Sequence, residues 1–156
     1  MTPPFRYYLR VRYGECDAQK VVFNARYGDY VDLASSEFIN ALGYASQTVS
    51  GAMDWQLVRQ TIEWEAPARF GDVLEISVST ARLGTTSFTL GFDFRVVGRE
   101  EVTARCETVY VLVNSSSLSK RELPAKFRER LQLGAPGVIC DHAGLFTAVA
   151  VNQDRV

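Results

Sequence analysis

Between Gly14 and Tyr27 the chain reads GECDAQKVVFNARY, and two features of this stretch could do chemistry together. Asp17 is a carboxylate in the turn ahead of a helix, where the positive end of the helix dipole favours its charged form. A carboxylate so placed can attack an electrophilic carbon or take a proton from water. Asn24, Ala25 and Arg26 fall on the first helical turn, whose N–H groups lack intrahelical partners and can hold the oxygen of a polarised carbonyl. The same residue types suit local work as well, Asp17 as a turn former and Asn24 as an N-cap. The residues alone leave both readings open.

Other reactive side chains offer less. Cys16 and His142, the single histidine, are the components of a Cys/His pair, but His142 lies in a C-terminal segment and cysteine commonly serves as small buried filling. Glu37 sits in the helix and is expected to face solvent or a second copy. Glu63, Glu65 and Arg69 form the polar end of a strand. Trp55, Trp64, Phe88, Phe92 and Phe94 read as core or interface packing, or as the wall of a ligand pocket.

Around the reactive stretch, residues 7–13 alternate Tyr7, Leu9, Val11 and Tyr13 against Tyr8, Arg10 and Arg12, the period of a strand with one face buried. From Tyr27 the period changes. Tyr27, Tyr30, Val31, Ala34, Phe38 and Leu42 recur at three- and four-residue steps before Gly43, which predicts a helix of about four turns, largely wrapped by other structure. Residues 55–65, 72–82, 86–97 and 101–113 read as four long strands. The short breaks at Pro67 with Arg-Phe-Gly-Asp, at Leu-Gly-Thr-Thr and at Val-Gly-Arg-Glu favour antiparallel neighbours. Beyond a polar connector at 114–123, Pro124–Leu133 predicts a short exposed helix. The pattern dissolves after Gly134, although Gly144–Val151 is apolar enough for an extra strand or for covering a partner surface.

The fold class expected is α+β, with a curved antiparallel sheet of about five strands wrapped around one long central helix. Residues 1–133 form that domain and residues 134–156 a tail of uncertain structure. Unpaired sheet edges point to a homodimer or homotetramer. A chain of 156 residues can bury roughly two-thirds of its unfolded surface, so it needs no disulfide. Its 17 Lys+Arg against 18 Asp+Glu, without a basic run, argue against nucleic acid as partner. Three cysteines without CxxC spacing suggest neither a disulfide framework nor a zinc knuckle. With no signal-like stretch at the start and no window near the ~20 apolar residues of a membrane span, a cytoplasmic location and no membrane partner are expected.

Residues 11–43, together with Ala66–Ile76, Thr86–Phe94 and Leu118–Pro124, resemble the 4-hydroxybenzoyl-CoA thioesterase family of hotdog-fold enzymes. The resemblance spans about residues 6–131. It implies an acyl-CoA thioesterase that needs no metal or redox cofactor, CoA being part of the substrate. It places the catalytic carboxylate on Asp17 and the oxyanion-holding backbone N–H on Asn24; the substrate-binding positions expected with them are Tyr27, Arg69, Arg82 and Lys120. Two positions depart from the family pattern: Lys20 stands where many relatives carry Gly, and Asn24 where many carry His. At Arg82–Ser87 only Arg82 is basic, so CoA phosphates would be met by Arg69, Lys120 or Arg121, or the acyl group would be carried by a protein. A thioesterase acting on acyl carrier protein and a non-catalytic acyl-binding module are the alternatives; a hydratase fits less well because it needs a carboxylate–histidine pair.

Overall fold

In the computed structural model of the chain, residues 1–146 can be described. The order is β1 (Phe5–Arg10), a single 3₁₀ turn (Tyr13–Glu15), α1 (Arg26–Ala41), α2 (Ala45–Ser50), β2 (Asp54–Trp64), β3 (Val73–Leu83), β4 (Ser87–Val96), β5 (Ala104–Val113), α3 (Ala125–Leu133) and β6 (Ile139–Asp141). The strands make one sheet in the order β2-β5-β4-β3-β1-β6, antiparallel throughout except for the β1/β6 pair. This is the α+β arrangement expected, one sheet on one central helix.

The helix forms where the apolar period changes. Tyr27, Tyr30, Val31, Ala34, Phe38 and Ile39 make one buried stripe along α1, and Gly43, at φ +91°, takes the left-handed conformation that stops it. Phe38 is fully buried edge-on to Phe5 of β1, at a ring separation of 5.6 Å, a burial that stabilises by about 1.5–3 kcal/mol. From β4, every second residue (Phe88, Leu90, Phe92, Phe94, Val96) is buried. Asp29, Asp32, Leu33, Ser36 and Asn40 of the helix are exposed, so the described residues cover one face and do not supply the fuller wrapping expected.

Several expectations are revised. The first strand covers Phe5–Arg10 and leaves the sheet before Tyr13, which is exposed. Val11 N–H turns to the Asp72 carbonyl (2.8 Å), and the Glu15 carboxylate accepts from Arg12 N–H (2.8 Å), which starts the 3₁₀ turn. Tyr8, on the supposed polar face, is buried because Phe146 packs edge-on against it and Glu75 accepts its hydroxyl. The strands flanking Pro67 are not neighbours: β2 pairs with β5, and the 65–72 connection crosses the sheet end, where Val22 N–H bonds the Ala68 carbonyl (2.8 Å). The other two breaks are hairpins, β3/β4 and β4/β5, as expected.

The segment after Leu123 carries more structure than its pattern suggested. The exposed helix expected there is α3, but it buries Phe127 and Leu131, one helical turn apart. Phe127 packs among Tyr44, Trp55 and Phe88, at ring separations of 4.8, 6.4 and 5.5 Å. Beyond Gly134, β6 adds a sixth strand, pairing Tyr7 with Cys140 in parallel register. The possible strand at Gly144–Val151 falls from Thr147 onward outside the described residues. With β6 covering β1, the long exposed edge of the sheet is β2, where Leu57, Val58 and Trp64 are about half exposed.

Candidate active site

The loop that carries Asp17 is a closed hairpin. Asp17 N–H donates to the Val21 carbonyl and Lys20 N–H to the Asp17 carbonyl, both at 2.9 Å, with Cys16 bridged to Val22 across the base. That pattern is a three-residue hairpin loop whose last position must be left-handed, and Lys20 takes it at φ +63°. This explains why glycine suits the position: a side chain there costs on the order of 1–2 kcal/mol. Lysine occupies it nonetheless, and the turn keeps its form.

Glu15 holds the loop from below, a role the sequence reading missed. It is buried, its carboxylate accepts from Arg12 N–H at 2.8 Å and Arg12 Nε at 3.1 Å, and its carbonyl accepts Phe23 N–H at 2.9 Å. The available signal was the spacing of Arg12 and Glu15, three residues apart, as in a capping box. On the other side, the bridge between Val21 and Arg69 ties the loop to the β2/β3 crossover.

Both local readings of Asp17 and Asn24 can be judged from the hydrogen bonds. Asp17 does form a turn, one carboxylate oxygen (Oδ1) accepting from Gln19 N–H at 2.8 Å. Oδ2 has no partner among the described residues. Asn24 does not cap the helix; Ala25 is the N-cap residue, and no side chain among the described residues closes that end. The Arg26 N–H is taken by the Phe23 carbonyl at 2.9 Å, which removes it from the donors expected, whereas Asn24 N–H and Ala25 N–H have no partner among the described residues.

Asp17, Asn24 and Tyr27 line one open cleft of about 380 Å³, walled by Phe23, Trp64 and Pro67. Tyr27 is buried with Trp64 and Phe94 edge-on to its ring at 6.2 and 5.4 Å. Burial pushes its phenol up to about 12, so it stays a neutral hydroxyl at physiological pH. The cleft thus combines a carboxylate with a free oxygen, the Asn24 residue with its unpaired N–H, and an aromatic wall.

The remaining substrate-binding positions divide. Arg69 is exposed and adjoins the cleft through Val21 and Pro67. Arg82 lies near the far end of β3, opposite Thr89, about 30 Å along the strand from Val73 at ~3.3 Å per residue. Lys120 bridges to Val113 at the end of β5, beside the Asp54 end of β2, whereas the cleft is at the Trp64 end. The single chain therefore does not bring Arg82 and Lys120 to Asp17. Cys16 and His142 do not pair either: His142 Nε2 lies 3.5 Å from Cys140 Sγ, and Glu37 is half-buried close to both rather than turned to solvent.

Residues 11–131 match the Thioesterase-like superfamily, and the chain belongs to it. The acyl-CoA thioester hydrolase YbgC of Escherichia coli O6:H1 is 32% identical over 125 residues, 79% of this chain and 92% of that protein. The 1,4-dihydroxy-2-naphthoyl-CoA hydrolase of Synechococcus elongatus is 27% identical over 128 residues, covering 80% and 93%. Among solved structures, the BH1999 gentisyl-coenzyme A thioesterase superposes with a TM-score of 0.71 at 28% identity, over 81% of this chain and 98% of that one. The hotdog fold and the thioester-hydrolase class expected from the resemblance are thereby met. No described helix is long and apolar enough to cross a membrane.

Proposed function

We propose that this protein hydrolyses an acyl-CoA thioester to a free acid and CoA, with Asp17 as the reacting carboxylate and Asn24 N–H as oxyanion donor. The observation that carries the reading is the shared cleft: a carboxylate oxygen without a partner, Asn24 with its unpaired N–H at a helix start, and an aromatic wall. Oxygen from Asp17, or from a water that Asp17 deprotonates, adds to the thioester carbon. The carbonyl oxygen gains negative charge, held by the Asn24 N–H. The C–S bond then breaks and the thiolate departs. If Asp17 itself attacks, water cleaves the resulting anhydride and restores the carboxylate; if water attacks, the acid forms directly and Asp17 passes the water's proton to the departing thiolate. No cofactor enters these steps.

Exposed Lys20 and Arg69 at the rim suit either CoA phosphates or the acidic surface of an acyl carrier protein, so the carrier is part of the test. The protein is proposed to work as a homodimer or larger homo-oligomer joined through β2. If two β2 edges pair antiparallel about a two-fold axis, the Asp54 end of one copy, with Lys120 nearby, meets the Trp64 end of the other. That brings the distant cation to the cleft. Free Cys16, Cys106 and Cys140 suit a reducing, cytoplasmic setting.

Thiol release is measured from short, medium, long and aromatic acyl-CoAs, and from the preferred acyl group on carrier protein. Hydroxylamine trapping of an acyl-enzyme separates nucleophile from general base. Release from carrier protein alone moves the substrate off CoA, and release from neither overturns the hydrolytic reading. For the assembly, Val58→Lys is expected to lower the sedimenting mass to that of one chain and to reduce turnover; an unchanged mass refutes the β2 interface.

A further inference from the structure

Away from the cleft, the C-terminal strand is brought against the central helix by three side chains of different chemistry. Cys140 of β6 and His142, the residue just past the strand's end, lie two residues apart, and Glu37 reaches them from α1. One ligating atom from each of the three lies within 4.8 Å of the others. Cys140 Sγ and His142 Nε2 are 3.5 Å apart. That is the edge of a tetrahedron around zinc, since bonds of ~2.3 Å to sulfur and ~2.0–2.1 Å to nitrogen at the tetrahedral angle separate the two atoms by about 3.5–3.6 Å.

The surroundings hold this geometry. The Tyr7 hydroxyl, on a side chain only 2% exposed, lies 3.0 Å from His142 Nδ1, and the two rings meet edge-on at 5.1 Å. A ring nitrogen engaged in this way fixes the imidazole and leaves Nε2 for a cation, the second-sphere arrangement typical of histidine ligands. His142 N–H bonds the Tyr8 carbonyl at 2.9 Å, and the Asp141 carboxylate accepts from Ala143 N–H (3.0 Å) and Phe146 N–H (2.8 Å), so the strand end is held by its own turn. Tyr7 and His142 also line a hollow of about 390 Å³, which opens beside the imidazole. Of the cations on that hollow, Arg12 is paired with Glu15, and Arg10 donates to the Gly71 carbonyl at 3.0 Å.

We propose that Glu37, Cys140 and His142 form a binding site for a borderline-soft divalent cation, zinc by preference, completed by water. Thiolate, imidazole and carboxylate together favour zinc over magnesium or calcium, which prefer oxygen alone. The cation replaces the thiol proton and clamps the three-residue β6 to α1. The site stands apart from the Asp17 cleft and takes no part in hydrolysis.

The test uses the full chain, stripped with a chelator and exchanged into metal-free buffer. Calorimetry with Zn²⁺ is expected to give one ion per chain with micromolar or tighter affinity, and Co²⁺ to give the sulfur-to-metal charge-transfer band of a thiolate complex. Cys140→Ser removes that band, although Cys16 and Cys106 remain. Glu37→Gln weakens zinc at least tenfold, with circular dichroism checking that each variant is folded. Zinc also raises the melting temperature of the native chain but not that of Cys140→Ser. Absence of binding to the native protein, or a thiolate band surviving in Cys140→Ser, overturns the proposal.

Discussion

Replacing Asp17 by Asn and by Ala separates the two jobs this residue can do. The turn uses one carboxylate oxygen, accepting from Gln19 N–H at 2.8 Å, and an asparagine carbonyl can accept the same bond. Asp17→Asn therefore leaves the loop intact and is expected to change stability by less than about 0.5 kcal/mol. Asp17→Ala removes the acceptor and is expected to cost roughly 0.5–1.5 kcal/mol, the net worth of one hydrogen bond. Turnover follows the charge instead. Acid–base catalysis commonly contributes about 10²–10⁴-fold, so both variants should lose at least a hundredfold in kcat, about 2.7 kcal/mol of transition-state stabilisation. Urea midpoints and thiol release on one set of samples measure both. Asp17→Asn retaining more than about a tenth of native turnover would refute the catalytic assignment. Activity lost only in Asp17→Ala, in step with its stability, would mean that the residue serves the turn alone.

Three further outcomes follow from the geometry. Lys20→Gly relieves a left-handed side chain worth on the order of 1–2 kcal/mol and adds backbone entropy of roughly 0.5–1, so the urea midpoint should rise by an equivalent of about 0.5–1 kcal/mol; a clear fall would mean that the lysine side chain contributes stability of its own. Phe127→Ala empties a fully buried site between α2, β2 and β4 and should cost about 3–5 kcal/mol by denaturant unfolding; a loss under 1 kcal/mol would mean that α3 does not seal the core. Burial is the chief cause raising Tyr7, Tyr8, Tyr27 and Tyr110 to about 12, against about 10 when unfolded. Above pH 10 the unfolded chain therefore loses phenolic protons that the folded one keeps, and stability is expected to be complete below that pH and to fall between about 10 and 12. Melting temperatures across this range, with the tyrosinate absorbance, check the sign.

Periodicity alone determined the local elements, because it records which residues meet the core: the apolar stripe from Tyr27 to Leu42 became α1, and the alternation from Phe88 to Val96 became the buried face of β4. That Asp17 and Asn24 lie close together was legible for a related reason. Asp17 and Asn24 are seven residues apart on one loop-and-helix unit, and local chain geometry is enough to put them in one cleft with Tyr27. Contacts between distant segments carry no such local trace. Nothing in the pattern around Pro67 says that β2 pairs with β5, and the position of Glu15 under the loop depends on the crossover packing against it. Tyr8 is buried where Phe146 returns to pack on it and Glu75 takes its hydroxyl. Arg82 and Lys120 were grouped with Asp17 by charge, but strand length carries them to the other end of the sheet. Glu37 stands about a hundred residues from Cys140 and His142, and no spacing rule joins them. The parallel docking of β6 on β1 does, because closing that long loop is what sets the strand's three residues beside the helix.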